Sequence, residues 1–179
     1  QFQDADAFCK LVFAKDLSLD TMAFVPNERG FDRLVAYPIP WVSTFIAATE
    51  SFNKQNVSAS REETFRELRT VASKARSAKR RLRVYVSTVF GCPYEGAPQE
   101  SDLGAFLAKV ADLGADEVVL SDTIGVATPA SVQKILELWL SIFPEERTAL
   151  HFHNTYGLGL AGILTAWEMG IRSFDGSSG

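Results

Sequence analysis

The sequence predicts an α/β fold, a parallel β-sheet with its helices on the outside. Two observations carry that reading. Short apolar, β-branched runs alternate with helix-length amphipathic segments along the 179 residues, the pattern of repeated β-α-β units. Neither a linker nor a low-complexity stretch interrupts the alternation, so residues 1–179 read as one domain. Composition agrees: 46% hydrophobic and 22% charged residues suffice for one core and exclude wholesale disorder.

A first helix is expected over 4–13, where Ala5, Phe8, Cys9 and Val12 fall at helical spacing. Residues 22–25 form a short strand stopped by Pro26-Asn27. A helix over 29–36 follows, broken by Pro38 and Pro40, and 41–47 is the next strand. The polar stretch 49–60 reads as a long loop. Ser60 with Glu63 has the capping-box spacing, and the helix behind it carries Phe65, Leu68, Val71 and Ala72 on one face. Residues 83–87 form a strand and 89–98 a Gly/Pro-rich loop. Ser101 is expected to cap a helix bearing Leu103, Phe106, Leu107 and Val110, closed by Gly114. Residues 117–121 form a strand, and Pro129 opens a helix presenting Val132, Ile135, Leu136 and Trp139. A strand over 148–153, a helix over 157–169 ending at Gly170, and a last strand over 172–175 complete the series. Two architectures compete for these six strands: an open doubly wound sheet and a closed barrel. A complete eight-stranded barrel takes about 250 residues, so as a barrel the chain is two strands short.

Net charge is −4, with 18 basic and 22 acidic side chains, a poor balance for gripping a phosphate backbone. The one basic cluster, Lys74, Arg76, Lys79, Arg80, Arg81 and Arg83, reads as the tail of a helix, where cations complement the dipole. Nucleic acid is therefore not an expected partner. No run of about 18 apolar residues is present, so no membrane partner is expected either. Cys9 and Cys92 are too far apart in sequence for a zinc motif or a disulfide framework, and point to a reducing compartment. Cys92 reads as an ordinary buried or loop cysteine. No phosphate loop or dinucleotide fingerprint occurs, since Gly157-Leu158-Gly159 lacks the third glycine.

In either architecture ligands sit at the carboxyl ends of the strands. Those ends read Pro26-Asn27, Glu50-Ser51-Phe52-Asn53, Ser87-Thr88, Asp122-Thr123, His153-Asn154-Thr155 and Asp175-Gly176-Ser177. All carry side chains able to hydrogen-bond or ligate, so one rim of the sheet is the expected site. The sharpest feature is His151-Phe152-His153, which holds both histidines of the chain. Side chains alternate along a strand, so the two imidazoles face one side about 6–7 Å apart at Cα and can converge on one cation. Asp122 ends the preceding strand; it reads as a ligand, an anchor for a histidine, a base, or a cap on the turn after it. Ser177 and Ser178 sit in a glycine-flanked turn that could present backbone amides.

The strand 83–87 followed by Gly91-Cys92-Pro93-Tyr94-Glu95-Gly96 resembles 3-hydroxy-3-methylglutaryl-CoA lyases. So do Ser121-Asp122-Thr123-Ile124-Gly125 with Thr128-Pro129, and His151-Phe152-His153-Asn154-Thr155-Tyr156-Gly157. The glycine-bounded loop is the most specific element. The paired histidines are shared with a wider superfamily of metal-dependent lyases and Claisen-condensing enzymes. The resemblance implies a (β/α)8 TIM barrel of which this chain covers strands three to eight. Its first two strands, with an arginine and a metal-binding aspartate, would then lie before Gln1. The glycine-rich loop with an acid cysteine and an asparagine ligand would follow Gly179. It implies cleavage of 3-hydroxy-3-methylglutaryl-CoA to acetyl-CoA and acetoacetate with a divalent cation, Mg²⁺ or Mn²⁺. It makes His151 and His153 metal ligands, Asp122 an acidic residue at the catalytic centre, and Asn27, Tyr85 and Thr123 substrate-pocket residues. The expected partner is an acyl-CoA substrate, with a homo-oligomer as an option. The expected compartment is the cytoplasm, with the mitochondrial matrix as the alternative. Asn154 departs toward the condensing synthases, where the lyases have aspartate. Val119 and Ser121 replace the usual serine and glycine, and Val119 would cost a hydrogen bond to substrate. The competing readings are a synthase condensing an acyl-CoA with a 2-oxo acid, and a catalytically silent barrel.

Overall fold

The computed structural model describes residues 4–15 and 19–176. Ser177 and Ser178, proposed above as an amide-presenting turn, lie outside them. The elements run α1 (Ala5–Phe13), β1 (Met22–Phe24), α2 (Glu28–Leu34), β2 (Trp41–Ala47), α3 (Glu50–Val57), α4 (Arg61–Ser77), β3 (Arg81–Ser87), α5 (Glu100–Ala111), β4 (Glu117–Asp122), α6 (Pro129–Leu140), a 3-10 turn (Glu145–Arg147), β5 (Thr148–Phe152), α7 (Gly159–Glu168) and β6 (Ser173–Asp175).

The strands pair in the order β1-β2-β3-β4-β5-β6, all parallel. Sheet order equal to chain order decides between the two architectures. A doubly wound sheet reverses direction at a switch point, whereas each crossover here moves one strand further the same way. The fold is an incomplete TIM barrel, six strands of an α/β barrel wall.

The strand alternation sorts the sheet into two faces. Val42 and Ile46, Leu82, Val84 and Val86, Val118 and Leu120, and Leu150 form the outer face and are essentially inaccessible. They pack on Phe65, Leu68, Leu107, Leu136 and Trp139 of the helices in one continuous core. Of the polar side chains on that face, Thr148 Oγ1 accepts from Trp139 Nε1 at 2.8 Å, whereas Thr44 Oγ1 is buried without a hydrogen-bond partner. The residues of opposite phase, among them Ser43, Phe45, Arg83, Tyr85, Ser87, Glu117, Ser121 and His151, face the barrel interior.

Four expectations need correction. The loop over 49–60 contains α3. Its sequence is too polar to show an apolar stripe, but the fully buried Asn53 pins it: Oδ1 accepts from the Ala47 amide, and Nδ2 donates to Ala59 O and Thr64 Oγ1. Helix α5 starts at Glu100 behind Gln99, so Ser101 lies inside it and is not its cap. The basic cluster is not one helix tail. Lys74 and Arg76 close α4, but Arg81 and Arg83 belong to β3, and Arg80 donates to the carbonyls of Ile39 and Tyr37. The strand carrying the histidines ends at Phe152, although the His153 amide still bonds to Asp122 O at 3.3 Å. The capping box at Ser60 and Glu63 forms as expected.

Candidate active site

A cavity of about 990 Å³ opens at the carboxyl ends of the strands, lined among others by Asn27, Tyr85, Thr123, His151 and His153. Five of the six sequence-predicted site residues therefore meet in one space. Its size is at the upper end for a small-molecule site.

The histidines converge. His151 Nε2 and His153 Nε2 are 3.3 Å apart, with the rings edge to face at 5.0 Å between centroids. Two nitrogens at that separation, each about 2.1 Å from a shared ion, would subtend about 100° there. That angle suits adjacent positions of a tetrahedral or octahedral shell. Burial, then the neighbouring His153, holds the His151 imidazole below its ordinary range, with Asp175 and Asp122 working the other way. A ligating imidazole must be neutral, so this environment favours the ligating form. Among the described residues no group of three His, Cys, Asp or Glu is placed to hold a metal. The pair presents two nitrogens that could ligate a cation whose other ligands would be oxygens.

Asp122 is not brought into this space. It is 2% exposed, and its carboxylate faces the helix layer: Oδ1 accepts from the Val126 amide at 2.9 Å and Oδ2 from the Ala127 amide at 3.0 Å. Of the readings weighed for it, the geometry matches the turn cap. The reason is phase. Asp122 pairs with Phe152, whereas Ser121 pairs with His151, so Ser121 and the next exit residue, Thr123, line the cavity. Thr123 Oγ1 accepts from the Thr88 amide at 2.8 Å, tying the exits of β3 and β4 together. Asn27 caps α2 through Oδ1, which accepts from the Gly30 amide at 3.0 Å. What its side chain can offer a ligand is donation from Nδ2. Burial, and then Asp175, pushes the Tyr85 phenol up to about 12. It stays protonated and can act only as a neutral hydroxyl at ordinary pH.

The glycine-bounded loop supports the rim. Cys92 and Gly96 pair in an antiparallel bridge, and Glu95 Oε1 accepts from the Ser51 amide at 2.7 Å, docking the loop on α3. Phe45, Phe52 and Tyr94 meet ring to ring in tilted contacts across that junction. Cys92 is 4% exposed. Burial pushes its thiol up, but hydrogen bonds from the Thr49 hydroxyl and the Tyr94 and Glu95 amides outweigh it and leave the thiol below its usual range. Val119 is fully buried and does not line the cavity, so its missing hydroxyl removes no contact with a ligand there. Asn154 Oδ1 accepts from the Gly159 amide at the start of α7, a task a carboxylate performs equally well.

Sequence reasoning named Ser87 and Asp175 only as strand-exit residues; it missed Phe45 and Ser121 as lining residues and the charged group that Arg83 and Glu117 form with Asp175 below them. Strand alternation was the available signal: residues two apart from Tyr85 and His151 share their face.

The chain matches the HMGL-like family over residues 6–178. It is 41% identical over 157 residues to the hydroxymethylglutaryl-CoA lyase YngG of Bacillus subtilis, covering 88% of this chain and 52% of that protein. A crystal structure of the Bacillus subtilis HMG-CoA lyase superposes with a TM-score of 0.91 at 38% identity, over 98% of this chain and 58% of that one. An HMG-CoA lyase from Acinetobacter baumannii in complex with coenzyme A and 3-methylmalate superposes at 0.87 with 29% identity, over 97% and 56% of the two chains. The chain thus spans about half the length of the relatives it matches. A match along nearly its whole length, together with the shared barrel wall, places this chain in the HMGL-like family.

Proposed function

We propose that the protein carrying this chain is a divalent-cation-dependent carbon–carbon lyase. It cleaves 3-hydroxy-3-methylglutaryl-CoA to acetyl-CoA and acetoacetate, with Mg²⁺ or Mn²⁺ as the cation. The observation that carries the reading is the convergence of the two Nε2 atoms at 3.3 Å on the wall of a cavity large enough for an acyl chain. Relatives named as HMG-CoA lyases and a structural neighbour holding coenzyme A with 3-methylmalate support the substrate class.

The cleavage converts a tertiary alcohol into a ketone. The hydroxyl loses its proton, the bond between C2 and C3 breaks, and the electron pair leaves as the enolate of acetyl-CoA, which takes up a proton. A divalent cation held by His151 and His153 would supply Lewis acidity toward the substrate's hydroxyl and acyl oxygens. The chain's own residues bind and orient. Asn27 donates from Nδ2, and the protonated Tyr85 hydroxyl and Thr123 offer hydrogen bonds on the wall beside the histidines. Phe24 and Phe45 give the cavity apolar surface against which the methyl-bearing carbon skeleton can be desolvated. Asp122 acts at one remove, by holding the loop that carries Thr123.

The test is acetoacetate release from 3-hydroxy-3-methylglutaryl-CoA by the intact protein, with and without a chelator. Turnover that depends on added Mg²⁺ or Mn²⁺ is expected. His153→Ala should lower divalent-ion affinity and turnover together, by more than the about 10–100-fold that outer partners of a ligand are worth. Unchanged metal titration in that variant would remove the ligand assignment. Thiol release from acetyl-CoA plus a 2-oxo acid, without acetoacetate formation, would replace the lyase with a condensing enzyme.

A further inference from the structure

Beneath the histidines, three interior strands share one charged cluster. Arg83 of β3 is 9% exposed. Its Nη2 donates to Asp175 Oδ1 of β6 at 2.7 Å, and its Nε lies 2.9 Å from Glu117 Oε2 of β4, an ion-pair contact without hydrogen-bond alignment. Ser173 Oγ donates to Glu117 Oε1 at 2.9 Å. The guanidinium reaches across the two intervening strands because the interior positions between are Val119 and Ala149, both small and fully buried. Arg83 also sits 5.3 Å from the centre of the Tyr85 ring, two residues along the same strand face.

The second carboxylate oxygen of Asp175 carries the inference. Asp175 Oδ2 is buried and has no hydrogen-bond partner. An anionic oxygen in that state is costly to leave alone. The Tyr85 hydroxyl is the neighbouring donor, and Asp175 stabilises its protonated form. Asp175 is also the register partner of His151. The carboxylate thus stands between the cation that fixes it and the phenol that lines the cavity.

We propose that Arg83 and Asp175 are a positioning pair. Arg83 anchors one oxygen of Asp175, and the other oxygen holds the Tyr85 hydroxyl in a single direction at the floor of the cavity. Neither touches the substrate; both act through Tyr85. A lysine at 83 keeps the charge but not the fork that reaches Glu117 and Asp175 together. The inference rests on the lyase reading for its kinetic arm only.

The experiment is a double-mutant cycle in the intact protein with a spectroscopic arm. Tyr85→Phe and Asp175→Asn are each expected to lower kcat/KM for 3-hydroxy-3-methylglutaryl-CoA about tenfold. The double variant should fall no more than about twofold below either single one, because both remove the same interaction. Independent factors that multiply would overturn the proposal, since a general loss of structure is additive. In the second arm the protein carries tyrosine labelled with ¹³C at Cζ. The Tyr85 resonance is the one absent from Tyr85→Phe, and it should move in both Asp175→Asn and Arg83→Lys at neutral pH while the other tyrosines stay in place. A stationary Tyr85 resonance in Asp175→Asn would overturn the proposal whether or not the protein turns over. Absence of wild-type turnover with a moving resonance would instead sink the lyase reading and leave the positioning pair standing.

Discussion

Replacing Gly125 by alanine tests how the two loops at the rim support His153. Gly125 follows β4 in the turn closed by Asp122, with φ at +74°. A Cβ there would lie 2.7 Å from Cβ and Oγ1 of Thr155 and 2.8 Å from its backbone nitrogen. Two costs add. A left-handed conformation costs a residue with a Cβ about 1–2 kcal/mol. Overpacking against backbone, which cannot rotate away, costs about 1–3 kcal/mol. The sum is about 2–5 kcal/mol, and Gly96 separates its parts. Gly96 has a similar φ of +70° but nothing within 4 Å of the added carbon, so Gly96→Ala should show the backbone cost alone. Urea unfolding of the two variants of the intact protein should differ by about 1–3 kcal/mol, the contact by itself. Thr155 is two residues past His153, so the same displacement spreads the imidazole pair. Calorimetric titration with Mn²⁺ should therefore be weakened in Gly125→Ala and unaltered in Gly96→Ala. Equal destabilisation in the two variants would refute the packing argument. Unaltered Mn²⁺ affinity in a clearly destabilised Gly125→Ala would refute the link to the histidines.

Three further outcomes are expected. Tyr85 ionises at about 12 in the folded protein against 10.0 as an ordinary phenol. The unfolded chain gives up that proton first, so stability contributed by the protonated phenol is lost as pH rises from 10 toward 12. Urea unfolding at about pH 8 and about pH 11 should show a smaller alkaline loss in Tyr85→Phe than in wild type. Asn53→Ala removes the side-chain partner of the Ala47 amide and the Ala59 carbonyl and leaves the Thr64 hydroxyl only its bond to Ser60 O. It should cost about 2–4 kcal/mol and speed hydrogen exchange across α3. Asp122→Asn puts an amide nitrogen opposite one of two backbone N–H donors, so it should lower the melting temperature. Lost turnover with an unchanged melting temperature would instead make Asp122 a participant in the chemistry.

The fold was legible because its two periodicities are clean. The strands turn a mainly apolar phase to the helices, and Val132, Ile135, Leu136 and Trp139 of α6 keep helical spacing against it. Helix α3 was not legible because its stability is not local. The residues Glu50–Val57 bury only Asn53, and that side chain is paid for by partners at 47, 59 and 64. No window confined to the helix contains that information. The start of α5 was misjudged for a related reason: Ser101 has the chemistry of a cap, yet the helix begins one residue earlier behind a Gln99 whose side chain makes no capping bond.

The site divides along a different line. His151 and His153 were identifiable because they close a strand and carry chemistry, and Asn27, Tyr85 and Thr123 were drawn from the family resemblance. Asp122 met the same two conditions and still points away from the cavity. What distinguishes it is register, and register was partly implicit in the histidines. Once His151 and His153 face inward, Phe152 between them must face the helices. Any residue paired with Phe152 must then do the same, and that residue is Asp122. The same rule assigns Ser121, which was overlooked, and Asp175, which was named only as a strand exit. Ser121 pairs with His151 and so does Asp175 on the other side, which places a hydroxyl and a carboxylate on the face of the ligating pair. A strand-end polar residue in a parallel barrel is thus a site candidate only in the phase of its inward-facing neighbours. In the opposite phase the same side chain meets the backbone amides of its own loop and becomes part of the frame that holds the site.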